Sequence, residues 1–160
     1  MEARLRPDMP KASKAIGKVT SSQLKKRVHA TNAAKLFGFV IVKAQPGRVA
    51  VRMRVEERHK QVHGVVHGGV VAALADTAGG LASYMAYPRG TRVATIEMKI
   101  NFLEAVEGGD ITAEAVVVRK GRHIAVTDCD VRDGSRRLLA KALMTFFVGP
   151  FRKNRKKRYA

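Results

Sequence analysis

Cysteine and tryptophan are almost missing from the chain: its 160 residues contain no tryptophan and one cysteine, Cys129. A single cysteine excludes an intrachain disulfide and any Cys-x-x-Cys metal motif, so nothing in the sequence requires an oxidising compartment. No adjacent residue suggests an activating base for the Cys129 thiol, so we expect a small strand residue rather than a nucleophile. His63 and His123 are expected at the surface or in turns. No group of His, Cys and Asp has metal-ligand spacing, so no metal site is predicted.

Long apolar runs are also scarce. The first twenty residues contain no apolar block, so no signal peptide is expected. The one candidate for a membrane span, residues 65–87, has Asp76 at its midpoint and glycines at positions 68, 69, 79 and 80. Because a mid-bilayer Asp costs about 2.5–3.5 kcal/mol on insertion scales, we expect no membrane span and no membrane partner. The sequence predicts a soluble, cytoplasmic protein.

Acidic residues are few: 13 Asp and Glu stand against 31 Lys and Arg, and the net charge is +18. Residues 1–27, 28–151 and 152–160 each contribute +6. We therefore predict one domain over residues 28–151 between two basic, mobile terminal segments. A basic surface attracts polyanions. The segment 152–160 has Tyr159 as its sole aromatic residue and no stacking repeat, so nucleic acid is expected to make nonspecific contacts at most.

Alternation of apolar and polar residues predicts several β-strands. Residues 49–55 alternate in this way and follow a turn signal at residues 45–47. The apolar segment 36–42 before that turn is interpreted as the incoming half of the same strand. Further strands are predicted later in the chain, joined by short turns: 111–117, 123–131 and 138–148. Short turns between neighbouring strands indicate an antiparallel sheet.

The strand that begins at Thr95 has the most regular alternation. A period of two places alternate side chains on opposite faces of a strand. The apolar face is predicted to consist of Ile96, Met98, Ile100 and Phe102. The polar face is predicted to consist of Thr95, Glu97, Lys99 and Asn101. Thr95 is thus expected on the side away from the apolar residues of this strand.

Between these strands lies a segment that favours a helix. From Gly68 to about Tyr87 it is rich in alanine and contains no proline, and Pro88 follows. These features predict a helix of about twenty residues, or about 30 Å. Gly79 and Gly80 each cost about 1 kcal/mol relative to alanine in a helix, which indicates close approach of another backbone. One long apolar helix buried against a curved antiparallel sheet is an α+β fold.

Asp76 lies in the middle of this apolar helix. A buried carboxylate without a partner costs free energy, so its presence indicates either a function or a structural role in capping a neighbouring backbone. His67, Gly68 and Gly69 begin the same helix, and a helix N-terminus presents unpaired N–H groups and a partial positive charge. Such an N–H group suits the stabilisation of negative charge on a reacting carbonyl oxygen.

Two stretches together resemble a known family. Residues 61–80, QVHGVVHGGVVAALADTAGG, and residues 91–126, which begin TRVATIEMKINF, resemble the hotdog-fold acyl-CoA thioesterases of the phenylacetic-acid-degradation type. The likeness covers roughly residues 33–149. Its most specific element is His-Gly-Gly followed at fixed spacing by Leu-Ala-Asp, here His67-Gly68-Gly69 and Leu74-Ala75-Asp76.

The resemblance implies a fold, an assembly and an activity. The fold would be a hotdog, with a five-stranded antiparallel sheet wrapped round the long helix. The assembly would be a homodimer, often paired into a homotetramer, with two active sites that are each built from both subunits. The activity would be hydrolysis of an acyl-CoA without a metal or redox cofactor, because CoA is part of the substrate.

The resemblance also implies roles for five residues. Asp76 would act as general base for water or as nucleophile, and the Gly68 N–H would polarise the thioester carbonyl. Thr95 would assist the water or the carboxylate, although a plain strand threonine is an equal alternative. His67 is expected to position its neighbours rather than to exchange protons. Gln61 stands where the family has an asparagine, so its contact with the carbonyl is a departure from the family pattern.

The turn at residues 119–122 resembles a turn that contacts CoA in such proteins. Arg119, Lys120 and Arg122 are therefore candidates for binding the CoA phosphates, with an ordinary solvated turn as the alternative. A second function also fits the same fold, because a hotdog protein of this kind could bind acyl-CoA or another ligand without hydrolysing it. The presence of both Asp76 and the His-Gly-Gly donor favours the enzyme.

Overall fold

A computed structural model describes residues 19–150 of the chain. The terminal segments 1–18 and 151–160, including most of the predicted basic tails, lie outside the described residues. The elements in chain order are helices and strands with these bounds: α1 Ser21–His29, α2 Asn32–Phe37, β1 Val40–Gln45, β2 Arg48–Arg54, α3 Gly68–Ala86, β3 Thr91–Phe102, β4 Asp110–Lys120, β5 Ile124–Asp133 and β6 Leu138–Pro150. Among these helices, none has the length and apolar character that crossing a bilayer requires.

All six strands form one antiparallel sheet in the order β1-β2-β4-β5-β6-β3. The helix α3 contacts every one of these strands. Six strands span about 24 Å at the usual strand spacing, which is more than twice the width of a helix, so the sheet has to curve round α3. The predicted α+β fold with a long helix against a curved antiparallel sheet is confirmed.

The predicted strand count of five is wrong by one. Residues before the turn form a separate strand, β1, which pairs with β2 through the two-residue turn Pro46–Gly47. Gly47 has φ +74°, the left-handed conformation that glycine favours at this position of a turn after proline. The segment 36–42 is therefore not one half of a continuous strand: its first residues end helix α2, and Gly38 separates them from β1.

The N-terminal helix α1 belongs to the packed body. The Thr20 hydroxyl oxygen accepts a hydrogen bond from the Gln23 N–H, and the Gln23 side-chain oxygen accepts one from the Thr20 N–H, which completes a capping box. Leu24 and Val28, one helical turn apart, are 1% and 9% exposed and join the core. The packed body thus includes residues upstream of position 28, because an i, i+4 apolar pair gives this otherwise basic segment a face to bury.

A β-bulge in β3 decides which face Thr95 occupies. Thr95 pairs with Phe146 and Glu97 with Thr145, so Ile96 is the extra residue. Residues that pair across antiparallel strands share a face, and Phe146 packs against α3. Thr95 therefore points towards α3, whereas Ile96 is 57% exposed. The prediction that Ile96 lies on the buried face and Thr95 on the opposite one is wrong, because the bulge shifts the alternation by one residue.

A buried histidine, His59, fixes the approach to α3. Its side chain is 2% exposed, its Nδ1 accepts a hydrogen bond from the Glu56 N–H at 3.1 Å, and its carbonyl accepts from the His67 N–H at 2.9 Å. Its Nε2 has no partner among residues 19–150. Burial lowers the pKa of His59, and the neighbouring Arg58 lowers it further. The neutral ring is therefore the form that the fold accommodates.

This lowered pKa makes stability depend on pH. Below about pH 6.5 the unfolded chain protonates this histidine before the folded protein does, so acid favours unfolding. We expect the free energy of unfolding to fall as the pH falls from about 6.5 through the folded-state pKa of His59. His59→Asn places an amide oxygen near the position of Nδ1 and cannot titrate, so it should flatten this decline. Urea unfolding at several pH values measures it, and an unchanged profile in the variant would contradict the assignment.

Candidate active site

The His-Gly-Gly motif builds the N-terminus of α3. His67 is the N-cap, and its Nδ1 accepts a hydrogen bond from the Gly69 N–H at 2.8 Å. A Cβ atom at position 69 would lie 2.9 Å from that nitrogen, closer than real Cβ contacts allow. Glycine at position 69 therefore leaves space for the His67 ring to cap the helix. Because Nδ1 accepts, the ring proton resides on Nε2, which agrees with a positioning role for His67.

Gly68 carries the first N–H group of helix α3. No group within residues 19–150 accepts a hydrogen bond from it. Gly68 and Gln61 line one cavity of about 340 Å³, together with the ring of Phe102. The structure thus brings together the predicted backbone donor and the predicted amide. A free N–H at a helix N-terminus is suited to bind an oxygen that carries negative charge.

Asp76 lies two turns further along α3 and opens onto a second cavity. It is half-buried, and its Oδ1 accepts a hydrogen bond of 2.7 Å from the Thr95 hydroxyl. This cavity of about 470 Å³ is lined by both residues. The bond fixes the orientation of the carboxylate and leaves Oδ2 without a partner among residues 19–150. The arrangement can therefore hold a base or nucleophile that faces open space.

Removing the Thr95 hydroxyl tests what this bond does. A hydrogen bond to a charged group contributes about 1.5–3 kcal/mol, so Thr95→Val is expected to lower kcat by roughly 10- to 100-fold through a misoriented Asp76. Thr95→Ser keeps the hydroxyl and should retain most of the activity. Steady-state kinetics on a thioester, the substrate class that the resemblance implies, compares the two variants. Equal activity of the valine and serine variants would assign Thr95 a purely structural place in β3.

Within one chain, the Gly68 donor and the Asp76 carboxylate do not meet. Eight residues of α-helix separate them by about 12 Å along the axis. They also line different cavities, Gly68 with Gln61 and Asp76 with Thr95. A single thioester cannot contact both groups of the same chain. The described residues of one chain therefore hold the Gly68 donor and the Asp76 carboxylate apart, in two separate cavities.

The basic segment predicted to bind CoA lies at the β4–β5 connection, but the turn itself is residues 121–123. Arg119 and Lys120 are the last paired residues of β4, so the turn begins two residues later than predicted. Arg119, Lys120 and Arg122 are exposed, and the Lys120 ammonium lies 5.1 Å from the centre of the Tyr87 ring. The Tyr87 hydroxyl donates a 2.7 Å hydrogen bond to the Gly121 carbonyl, which attaches the turn to the end of α3. The turn therefore has a fixed position, and its contact with CoA phosphates stays a prediction.

The remaining candidates have structural places. Cys129 is fully buried in β5, and burial raises the pKa of its thiol to about 12, so it stays protonated, as expected of a small strand residue. His63 and His123 are exposed, as predicted. No three His, Cys, Asp or Glu side chains of residues 19–150 are grouped so as to hold a metal ion.

Several residues that line the Asp76 cavity were not singled out from the sequence. Gly80 and Tyr84 follow Asp76 at i+4 and i+8 and lie on its side of α3, a signal that helical spacing does contain. Leu24 and Val28 reach the same cavity from α1. Their amphipathic spacing marks a helix, but nothing in a single sequence indicates that this helix lies beside Asp76.

Comparisons with known proteins agree with this architecture. A sequence profile described as Thioesterase superfamily matches residues 63–140. Human acyl-coenzyme A thioesterase 13 is 30% identical over 129 residues, which cover 79% of this chain and 91% of that protein. A solved thioesterase of Haemophilus influenzae superposes with a TM-score of 0.80 at 28% identity, over 88% of this chain and 98% of the other. The solved structure of zebra fish thioesterase superfamily member 2 superposes with a TM-score of 0.75 at 28% identity, over 82% of this chain and 99% of the other. The chain belongs to the Thioesterase superfamily.

Proposed function

We propose that the protein is an acyl-CoA thioesterase, which hydrolyses an acyl-CoA to the free acid and CoA. The observation that carries the proposal is the Asp76 carboxylate, oriented by Thr95 and open to a cavity of about 470 Å³. The likeness to human acyl-coenzyme A thioesterase 13 supports acyl-CoA as the substrate class. The narrower resemblance to the phenylacetic-acid-degradation type and a cytoplasmic location stay predictions.

The chemistry assigns one task to Asp76 and another to Gly68. Asp76 removes a proton from water, whose oxygen attacks the thioester carbon, or attacks that carbon itself. The negative charge that develops on the carbonyl oxygen is stabilised by the Gly68 N–H of the partner subunit, and the partner subunit's Gln61 amide provides a second donor. The CoA thiolate leaves as the tetrahedral intermediate collapses. When water attacks, the acyl group leaves directly as the free acid. When Asp76 attacks, it forms an anhydride, and a water molecule then hydrolyses that anhydride to the free acid and the Asp76 carboxylate. No metal or redox cofactor takes part in either route.

The proposed mechanism implies a homodimer, because the Gly68 donor and the Asp76 carboxylate of one chain lie in different cavities. Strand β3 supports a specific pairing: it is twelve residues long, lies at the edge of the sheet and pairs only with β6 among the described strands. A long unpaired edge strand is a template for pairing with a second copy. Ile96 and Phe102, which are 57% and 55% exposed, lie on this strand and would be covered by the pairing. Assembly into tetramers stays a prediction.

A thiol-release assay over acetyl-, hexanoyl-, decanoyl- and phenylacetyl-CoA tests the function directly. The proposal expects release of CoA from at least one of them, in proportion to protein concentration. The competing function is a hotdog protein that binds acyl-CoA without hydrolysis. Isothermal titration with a nonhydrolysable CoA thioether separates the two, because binding without thiol release from any substrate would favour the ligand-binding protein.

A further inference from the structure

The cavity beside Asp76 is closed on one side by the N-terminal helix. Helix α1 contacts β1 at one edge of the curved sheet, and its Leu24 and Val28 line the same cavity as β3 at the other edge. Helix α1 therefore forms one wall of the cavity, and β3 contributes to another. Both side chains are buried, so their position is set by packing rather than by solvent.

The floor of this cavity is the face of α3 that carries Asp76. Gly80 and Tyr84 follow it at successive helical turns, and the distance from Asp76 to Tyr84 is about 12 Å along the axis. Gly80 has no side chain there, which leaves a gap directly after the carboxylate. A Cβ atom at position 80 would lie 3.5 Å from Phe146, an ordinary contact, so packing does not require glycine. The close approach of another backbone that the sequence indicates at Gly80 is absent among residues 19–150, and the space beside Asp76 is open to a ligand.

The lining of the cavity is mainly apolar. Asp76 and Arg92 are its only charged side chains within residues 19–150, and Arg92 is exposed. The remaining large side chains of the lining are aliphatic or aromatic: Leu24, Val28, Leu81, Tyr84, Val93 and Phe146. A cavity of about 470 Å³ is within the range that holds small molecules. Four threonines also line the cavity, Thr31, Thr77, Thr91 and Thr95, and the hydroxyls of all four already donate hydrogen bonds within the protein.

We propose that this cavity holds the acyl group of the substrate, and that Gly80 and the α1 residues Leu24 and Val28 set its upper length. The substrate class is an acyl-CoA with an unbranched, apolar, medium-length acyl chain. The chain extends from the thioester at Asp76 past Gly80 to Tyr84, beside α1. This inference rests on the proposed function, and it adds which acyl groups the enzyme prefers and which residues select them.

Substitution at position 80 tests the length limit. Gly80→Val fills the gap with two methyl groups and is expected to lower kcat/KM for decanoyl-CoA by about tenfold or more, with acetyl-CoA within about twofold of the unmodified protein. Gly80→Ala, whose Cβ makes an ordinary contact, should fold normally and show a smaller shift in the same direction. Ala86→Val adds the same groups on the same helix beside the β1–β2 turn, outside the cavity, and is the matched control.

A smaller side chain on the α1 side should enlarge the cavity, and we expect it to shift the preference towards longer acyl chains. Leu24→Ala should raise kcat/KM for palmitoyl-CoA relative to decanoyl-CoA by about tenfold. Inhibition by decanoic acid provides a readout besides turnover, since its inhibition constant should rise in Gly80→Val and remain unchanged in Ala86→Val. Suppose that the unmodified protein hydrolyses acyl-CoAs but Gly80→Ala and Gly80→Val lower kcat/KM by the same factor for every acyl chain length. The length inference is then overturned and the proposed function stands. If no acyl-CoA is hydrolysed, both are overturned.

Discussion

Replacement of Asp76 by asparagine is expected to lower kcat for acyl-CoA hydrolysis by about 10²- to 10⁴-fold, the range found when a general base is removed. Asparagine has the same shape, and its amide oxygen can still accept the Thr95 hydrogen bond, but it cannot take a proton from water. Folding and assembly should therefore be unaffected. Thiol release under substrate saturation measures kcat, and sedimentation measures assembly.

Asp110→Asn is the matched control for loss of a carboxylate. Asp110 lies in β4 and pairs with Arg52 and Arg54 at 3.5 and 3.6 Å, away from both cavities. Exposed ion pairs of this kind contribute at most about 1 kcal/mol, so this variant should keep full activity. Undiminished turnover in Asp76→Asn would remove Asp76 from the mechanism and leave it as a structural residue of α3.

A single turnover in ¹⁸O-labelled water tests whether Asp76 is the nucleophile, because only an anhydride intermediate can place the label in the protein. As a general base, Asp76 directs labelled water onto the acyl carbon, so the label appears in the free acid. As a nucleophile, it forms an anhydride with the acyl group, and attack of water on the aspartyl carbon would place the label in the protein. Mass spectrometry of the peptide that contains Asp76 reads this difference. General-base catalysis predicts no labelled peptide.

Gly68→Pro is expected to lower kcat by about 10²- to 10³-fold, the loss found when one oxyanion donor is removed. Proline lacks the N–H group but is favoured at the first position of a helix, where that group has no partner inside the helix. His67, the preceding residue, has φ −63° and ψ 132°, the extended conformation that a residue before proline adopts. The helix should therefore form while its free donor is lost.

Gly68→Ala controls for the bulk that proline adds. A Cβ atom at position 68 would lie 3.3 Å from the Phe102 ring, so both variants must displace that ring slightly. Alanine keeps the N–H group and should retain at least about a tenth of the activity. The comparison of kcat between the two variants isolates the backbone donor. Equal losses in both would attribute the effect to Phe102 and leave Gly68 without a catalytic role.

Local sequence signals predicted most of the fold. The long helix from Gly68 was predicted to reach about Tyr87, and it ends at Ala86 because the alanine-rich segment stops before Pro88. The antiparallel sheet followed from alternation and short turns. The additional strand β1 was missed because the segments on both sides of the turn were interpreted as halves of one strand, not as two strands joined by that turn. Turn geometry at Gly47, rather than hydrophobic periodicity, separates the two strands.

The placement of Thr95 shows what periodicity cannot supply. Regular alternation assigned it to the face away from Met98 and Ile100, but the bulge at Ile96 turns Thr95 onto the same face as both and within 2.7 Å of Asp76. A bulge depends on register with β6, which is a property of the paired strands and not of β3 alone. The family resemblance identified Thr95 as a site residue. The structure shows that its side chain faces α3, which is the opposite of what the local pattern predicted.

The separation of the Gly68 N–H group from the Asp76 carboxylate was likewise not predictable from the sequence alone. The sequence places His67-Gly68-Gly69 and Asp76 within ten residues, which suggests proximity. A rigid helix instead holds Gly68 and Asp76 about 12 Å apart, and they open onto different cavities. One wall of the Asp76 cavity comes from α1, more than forty residues upstream. Contacts of this kind depend on tertiary packing, which a single sequence does not reveal.

Mixing two inactive variants tests the central claim that two copies of the chain complete each catalytic centre. Asp76→Asn and Gly68→Pro protomers are unfolded together, refolded and assayed beside each variant treated alone. In a mixed dimer one centre would carry both defects and the other neither, so random pairing should restore about a quarter of the unmodified activity. If the donor and the carboxylate acted from the same chain, every centre would stay defective, and a mixture as inactive as its components would contradict the account.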